Sequence, residues 1–189
     1  MNKLSNSEIN KLKKMNFYNK FKIYNFTTNG IYNWEPYLNY FKKINLKNKS
    51  LLDVGPGDGF FSRFFLEQKC KVSAYEIKDQ KHRDNFNYGH LNKIKKISDQ
   101  GKKITKNNSG AFLFNYTNKL LKKKLKIQYG NIYDLGKIKK KYDIVFCNDV
   151  LLHLTDPFRG LVNLKLASKK LYSQVQLLLQ TITIKTLIL

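Results

Sequence analysis

Cysteine is nearly missing from this chain: Cys70 and Cys147 are the only two in 189 residues. Each sits in or at the end of an apolar, strand-like run. They read as buried, reduced thiols of a cytoplasmic protein, not as a disulfide framework or a metal site. Long apolar runs are missing too. None approaches the roughly 20 residues that span a bilayer, and the Asn/Lys-rich start lacks the apolar core of a signal peptide. A membrane association is therefore not expected. Of the three histidines, His82 and His90 read as surface residues, without the spacing of a metal or nucleophile pair. Acids are scarce, 13 against 36 basic residues, which leaves a net charge of +23. Such a surplus favours polyanions, RNA above all. Yet arginine, the side chain that forks onto phosphate, is limited to Arg63, Arg83 and Arg159. A Lys- and Asn-rich, Arg-poor composition also follows from A-rich codons, so nucleic-acid and small-molecule partners both stay open.

What is present suits a globular domain. Hydrophobic residues make up 42% of the chain, enough for one core. The chain is organised around Leu51-Leu52-Asp53-Val54-Gly55-Pro56-Gly57-Asp58-Gly59-Phe60-Phe61. An apolar run ends at an acid, three glycines follow at alternate positions, and an apolar-periodic segment begins. That pattern predicts strand, tight turn and helix start. The glycines permit a sharp turn and close approach of a ligand to the main chain. The spacing is Gly-x-Gly-x-Gly rather than the Gly-x-Gly-x-x-Gly of dinucleotide binders. Asp53 is unhelpful beside a pyrophosphate, which seeks helix-terminal N–H groups without a nearby anion. It suits a ligand with an ammonium group, and S-adenosylmethionine (SAM) carries an amino group and a sulfonium.

Residues 1–49 read as a helical and aromatic preamble packing on the core; 50–189 read as one domain with a basic insert at 77–110. In the preamble, a helix is predicted around Ser7–Leu12, capped by Ser5 or Ser7. An aromatic run follows from Phe17 to Phe26, with a turn at Asn29-Gly30 and an amphipathic helix over Tyr37–Ile44. This aromatic segment could also form a lid or part of a substrate cleft. The first central strand is Ser50–Val54, its helix Phe60–Gln68, and the second strand Cys70–Tyr75. Glu76, one βαβ step past Gly55, stands where ribose hydroxyls are accepted in such folds. A helix is predicted over Gly110–Lys124 and a third strand over Leu125–Tyr129. In the loop after it, Asn131 could bond an adenine edge and Ile132 pack on its face. The fourth strand, Tyr142–Cys147, leads to Asn148, Asp149 and His153 at the edge where open α/β sheets bind ligands. A helix from Asp156-Pro157, a fifth strand over Leu171–Leu179 and a β-prone run over Thr181–Leu189 complete the reading.

These residues resemble the class I SAM-dependent methyltransferases: Asp-Val-Gly-Pro-Gly-Asp-Gly looks like their first motif and Glu76 matches their ribose acid. The likeness is strongest to the branch of tRNA wobble-uridine (5-hydroxyuridine) methyltransferases. It rests on Phe17-Tyr18 with Trp34, on the glycine loop, and on Tyr133–Leu135 followed by Tyr142–Cys147 and Leu151–Pro157. The resemblance implies an α/β, Rossmann-like, doubly wound and mostly parallel sheet. It implies SAM as cofactor, held by Asp53, Gly55, Pro56, Gly57, Gly59, Glu76, Asn131, Ile132 and Asn148. It implies methyl transfer to a tRNA base or a small polar acceptor, with Asp149 and His153 as candidate catalytic bases and no metal. Two features depart from the family. Asn131 stands where its members usually carry an aspartate. The family sheet has seven strands, and this chain is expected to stop after the fifth or sixth, leaving an open sheet edge through which it could oligomerise. Two other readings stay open: an inactive SAM-fold accessory protein, and a basic RNA-binding module.

Overall fold

The computed structural model describes residues 3–78 and 110–174. Most of the basic insert, with His82 and His90, lies outside these residues, as do the β-prone run over Thr181–Leu189 and the end of the expected fifth strand.

The centre is a five-stranded sheet in the order β5-β4-β3-β6-β7. Its strands are β3 (Ser50–Val54), β4 (Lys71–Glu76), β5 (Lys126–Tyr129), β6 (Tyr142–Asn148) and β7 (Ser168–Gln174). All four pairings are parallel. β7 starts three residues ahead of the expected strand, directly after its helix. β4 is shifted by one, so Glu76 is its last residue rather than the one after. The alternation of a strand sorts β3 and β6 onto two faces. Leu51, Ile144 and Phe146 face α2 (Glu35–Lys42) and α3 (Phe60–Glu67), together with Trp34. Leu52, Val54, Val145 and Cys147 face α5 (Pro157–Ala167) and a 3₁₀ turn over Ile132–Lys137. This two-sided burial explains why both strands read as continuous apolar runs. Phe146 fixes α3 through Phe61 and Phe65, whose ring centroids lie 4.8 and 5.0 Å away. Each such buried ring contributes roughly 1.5–3 kcal/mol.

The preamble packs on the sheet domain at two places. Helix α1 (Asn6–Lys13) begins with a capping box between Ser5 and Glu8. A two-residue hairpin follows, β1 (Lys22–Ile23) with β2 (Phe26–Thr27), in which Tyr24 takes φ 54°. Leu12, Phe17, Ile23 and Phe26 cluster with Leu113 of α4 (Gly110–Leu120). Further on, Trp34, Leu38 and Phe41 pack against α3.

The parallel arrangement gives the sheet two chemically different edges. At the carboxyl edge lie the glycine loop, Glu76, the turn after β5 and Asn148-Asp149. The segments entering the strands at the amino edge are rich in lysine: Lys47 and Lys49 before β3, Lys69 before β4, Lys122–Lys124 before β5 and Lys139–Lys141 before β6. Among the described residues, no helix is long and apolar enough to cross a membrane.

Candidate functional site

The loop from β3 to α3 is held in a left-handed conformation at all three glycines, Gly55 (φ 72°), Gly57 (φ 56°) and Gly59 (φ 81°). This is why residues without a Cβ occupy them. They differ in what surrounds them. A Cβ on Gly55 would lie 2.3 Å from Val150 Cγ2, and one on Gly59 would lie 2.8 Å from Arg63 Nη1 and 2.9 Å from the Phe114 ring. At Gly57 a Cβ would meet no described atom within 4 Å, so this glycine alone faces open space. Pro56, buried in the same turn, accepts a hydrogen bond on its carbonyl from Gly59 N at 2.7 Å.

The two acids of the loop turn inward. Asp53 is 2% exposed, and its carboxylate accepts a hydrogen bond from Ser62 Oγ of α3 at 2.5 Å. Burial pushes its pKa up to about 7; the Ser62 bond opposes that shift, and the nearby charges of Glu76 and Asp58 add to it. Asp58 was not singled out by the sequence, yet it ties the preamble to the loop. Its Oδ2 accepts from Tyr18 N at 3.1 Å and Asn19 N at 2.8 Å; its Oδ1 accepts from Asn19 Nδ2 at 2.7 Å and Phe60 N at 3.2 Å. Asn19 in turn accepts from the Trp34 indole at 2.7 Å. The Asp58 carbonyl accepts from Arg63 Nη1 at 3.0 Å, and the same Nη1 donates to Thr117 Oγ1 of α4 at 2.7 Å. The Arg63 guanidinium lies over the Phe21 ring, 4.5 Å from its centroid. Loop, preamble and α4 therefore form one buried unit.

The remaining expected site residues line the same edge. Glu76 is half-buried at the end of β4, and its Oε1 accepts from Ile77 N at 2.8 Å. Asn131 caps the 3₁₀ turn after β5: its Oδ1 accepts from Tyr133 N at 2.9 Å. A carbonyl oxygen has two lone pairs, so one remains for another donor. Ile132 is only 6% exposed and belongs to the core cluster beneath α5. Asn148 ends β6; its Nδ2 donates to Asp149 Oδ2 at 3.1 Å, while its Oδ1 is buried with no hydrogen-bond partner among the described residues. Asp149 is buried at φ 55°. Its Oδ2 also accepts from the Tyr18 hydroxyl at 3.3 Å. Burial and the Asp149 charge push the Tyr18 hydroxyl well above the ordinary tyrosine range. Tyr18 and Tyr32 form a tilted ring pair with centroids 4.5 Å apart. His153 is exposed at the end of a 3₁₀ turn over Leu151–His153. Among the described residues no group of His, Cys, Asp and Glu could hold a metal.

The strand order reverses between β3 and β6, the position at which open α/β sheets bind ligands beyond the strand ends. Asp53, Glu76 and Asn148 sit at the carboxyl ends of three adjacent strands, about 4.8 Å apart from one strand to the next.

A search of the curated proteins found no match. Among solved structures, the chain is similar to WbdD, crystallised with the kinase inhibitor LY294002, at 12% identity over 81% of this chain and 32% of that one, with a TM-score of 0.54. It is also similar to a SAM dependent methyltransferase from Aquifex aeolicus (20% identity, 72% of this chain and 61% of that one, TM-score 0.44). A third is magnesium protoporphyrin IX methyltransferase from Synechocystis PCC 6803 with bound SAM (16% identity, 73% and 53%, TM-score 0.47). The chain spans about half the length of the first solved structures it matches. A family model described as methyltransferase domain matches residues 26–186. The chain belongs to the methyltransferase domain family, with an α/β, Rossmann-like fold.

Proposed function

We propose that the chain transfers the methyl group of SAM to a nucleobase of tRNA or to a small polar acceptor. The observation that carries this reading is the loop itself: three left-handed glycines at the carboxyl edge of β3, the middle one open, flanked by carboxylates on β3 and β4. The donor set fits SAM. Gly55, Pro56, Gly57 and Gly59 shape a surface that a ligand can approach closely, and Asp53 lies behind it as the negative charge for an ammonium group. Glu76 offers carboxylate oxygens to ribose hydroxyls. Asn131 offers its remaining lone pair to an adenine amino group. Ile132, largely buried, forms the floor beneath that position. The buried Oδ1 of Asn148 is an acceptor that awaits a donor.

SAM supplies a methyl group already activated by its sulfonium. The chain's own contribution is alignment, worth about 7–11 kcal/mol in favourable cases. An oxygen or nitrogen acceptor that must lose a proton needs a base within hydrogen-bond reach. Asp149 is the first candidate, because the Tyr18 hydroxyl and the Asn148 amide fix its Oδ2 at the strand edge. His153 is the second. An acceptor that is already acidic requires neither. The partly exposed Tyr18 ring beside Asp149 offers an aromatic face to a planar base, which supports a wobble-uridine acceptor. The free cysteines Cys70 and Cys147, both buried, support a reducing cytoplasmic setting. The test is methyl transfer from labelled SAM, offered bulk tRNA and a small-molecule extract in parallel. Label in either fraction identifies the acceptor class; label in neither, with SAM bound, rejects both.

A further inference from the structure

The amino edge of the sheet carries a concentration of charge that methyl transfer does not use. Because β3 to β7 are all parallel, the segments leading into them emerge at one edge, opposite the glycine loop. Lys122-Lys123-Lys124 enters β5 and Lys139-Lys140-Lys141 enters β6. The loops into β3 and β4 lie side by side, joined by Asn48 N donating to Lys69 O at 3.0 Å and Lys71 N donating to Lys49 O at 2.8 Å. The acids near this edge are Glu67 and Asp143. Asp143 is already engaged, accepting from Ser50 N at 2.9 Å, from Ser50 Oγ and from Lys169 Nζ at 3.0 Å. The edge therefore carries a large excess of positive charge.

Size and chemistry narrow the partner. Five strand starts spaced about 4.8 Å apart span roughly 19 Å. Double-stranded DNA carries one negative charge per about 1.7 Å of axis with both strands counted, so a duplex lying along that span carries about eleven phosphates, of which one face presents a part. Lysines are flexible point charges, suited to phosphate contacts that carry no sequence information. Most of the large exposed apolar residues, such as Ile31 and Phe158, lie outside these entering segments; Tyr40, in the last turn of α2, and Leu166, at the entry to β7, stand singly. The described edge thus offers neither a run of aromatic faces on which successive single-stranded bases stack nor a continuous apolar wedge for a bilayer.

We propose that the amino edge of the sheet docks the phosphate backbone of a duplex or folded RNA. At about 3.3 Å per residue, the seven residues of β6 separate this edge from the methyl-transfer site by roughly 20 Å. The docked backbone is held apart from the reacting atoms, and the proposal does not depend on the acceptor.

The experiment measures binding of a 20-base-pair RNA duplex of arbitrary sequence across a salt series, using the full chain. Lys124→Glu, Lys139→Glu and Lys141→Glu are combined in one variant. Lys93→Glu, Lys95→Glu and Lys96→Glu, an equal charge change within the basic insert, form the other. The first variant is expected to weaken binding about tenfold or more and to reduce the salt slope by about 2–3. The insert variant should shift the slope by less than about 1. Lys→Gln at the same three edge positions, with affinity for SAM unchanged, should give an intermediate loss and excludes a folding artefact. Equal losses in both Glu variants, or affinity independent of salt, would overturn the assignment. So would binding only to vesicles of phosphatidylcholine with about one-quarter phosphatidylserine.

Discussion

Asparagine at position 53 should make the ligand-free fold more stable at pH 8 and less able to hold SAM. Asp53 is 2% exposed, and burial raises its pKa to about 7 from 3.8. In the folded state it therefore keeps its proton between about pH 4 and pH 7, where the unfolded chain has released it. Stability must fall as pH rises through that window. About three units at 1.36 kcal/mol each give a loss on the order of 4 kcal/mol by pH 8. Asparagine has nothing to ionise and can still accept the Ser62 hydrogen bond through its amide oxygen. Urea unfolding at pH 5, 6, 7 and 8 reads the difference: the native curve should decline with pH relative to Asp53→Asn. An ammonium beside the ionised carboxylate offsets its burial, so SAM should bind the native chain more tightly as pH rises from 5 to 7. The variant should lose that dependence. Parallel stability curves, or a variant less stable than the native chain at pH 8, would refute the reasoning.

Asp58→Ala strips acceptors from four N–H groups and should cost at least about 3 kcal/mol in urea unfolding, at about 1–3 kcal/mol per buried unsatisfied group; a loss below 1 kcal/mol would deny the clamp. Gly57→Ala should destabilise by only about 1–2 kcal/mol, the cost of a left-handed non-glycine residue. Calorimetry should show its SAM affinity down tenfold or more, because the added methyl enters open space. Asp143 is held below the ordinary carboxylate range by the Ser50 amide and hydroxyl and by Lys169. Its stabilising effect is present above about pH 4 and lost as pH falls through its folded-state value, so Asp143→Asn should flatten acid unfolding below pH 4. Both cysteines are buried, and burial raises the Cys70 thiol to about 11 and Cys147 further. A thiol reagent should label neither until the chain is denatured.

The sheet and its loop were legible because their signals are local. Ser50–Val54 is an apolar run buried on both faces, the alternate glycines fall at left-handed positions, and Glu76 follows one βαβ step later. Asn131 carries a second local signal beside its place after β5: an Asn before a short apolar turn is a cap, and the structure uses its oxygen that way. The Asp58 clamp left no local trace, since its partners Tyr18 and Asn19 lie about 40 residues earlier. The same holds for Tyr18 against Asp149, 131 positions apart. The preamble hairpin was hidden because its turn is Tyr24-Asn25, with no glycine, and Tyr24 itself takes the left-handed conformation. Aromatic residues there read as generic core, and only tertiary packing shows that Tyr18 reaches the strand edge.

The central claim is that the glycine loop, with the acids on β3 and β4, holds SAM. Isothermal titration of the full chain with SAM and with S-adenosylhomocysteine tests it most directly. Saturable binding of both, weakened tenfold or more by Glu76→Ala, is the expected result. No heat at millimolar ligand, or an affinity unmoved by Glu76→Ala, would contradict it.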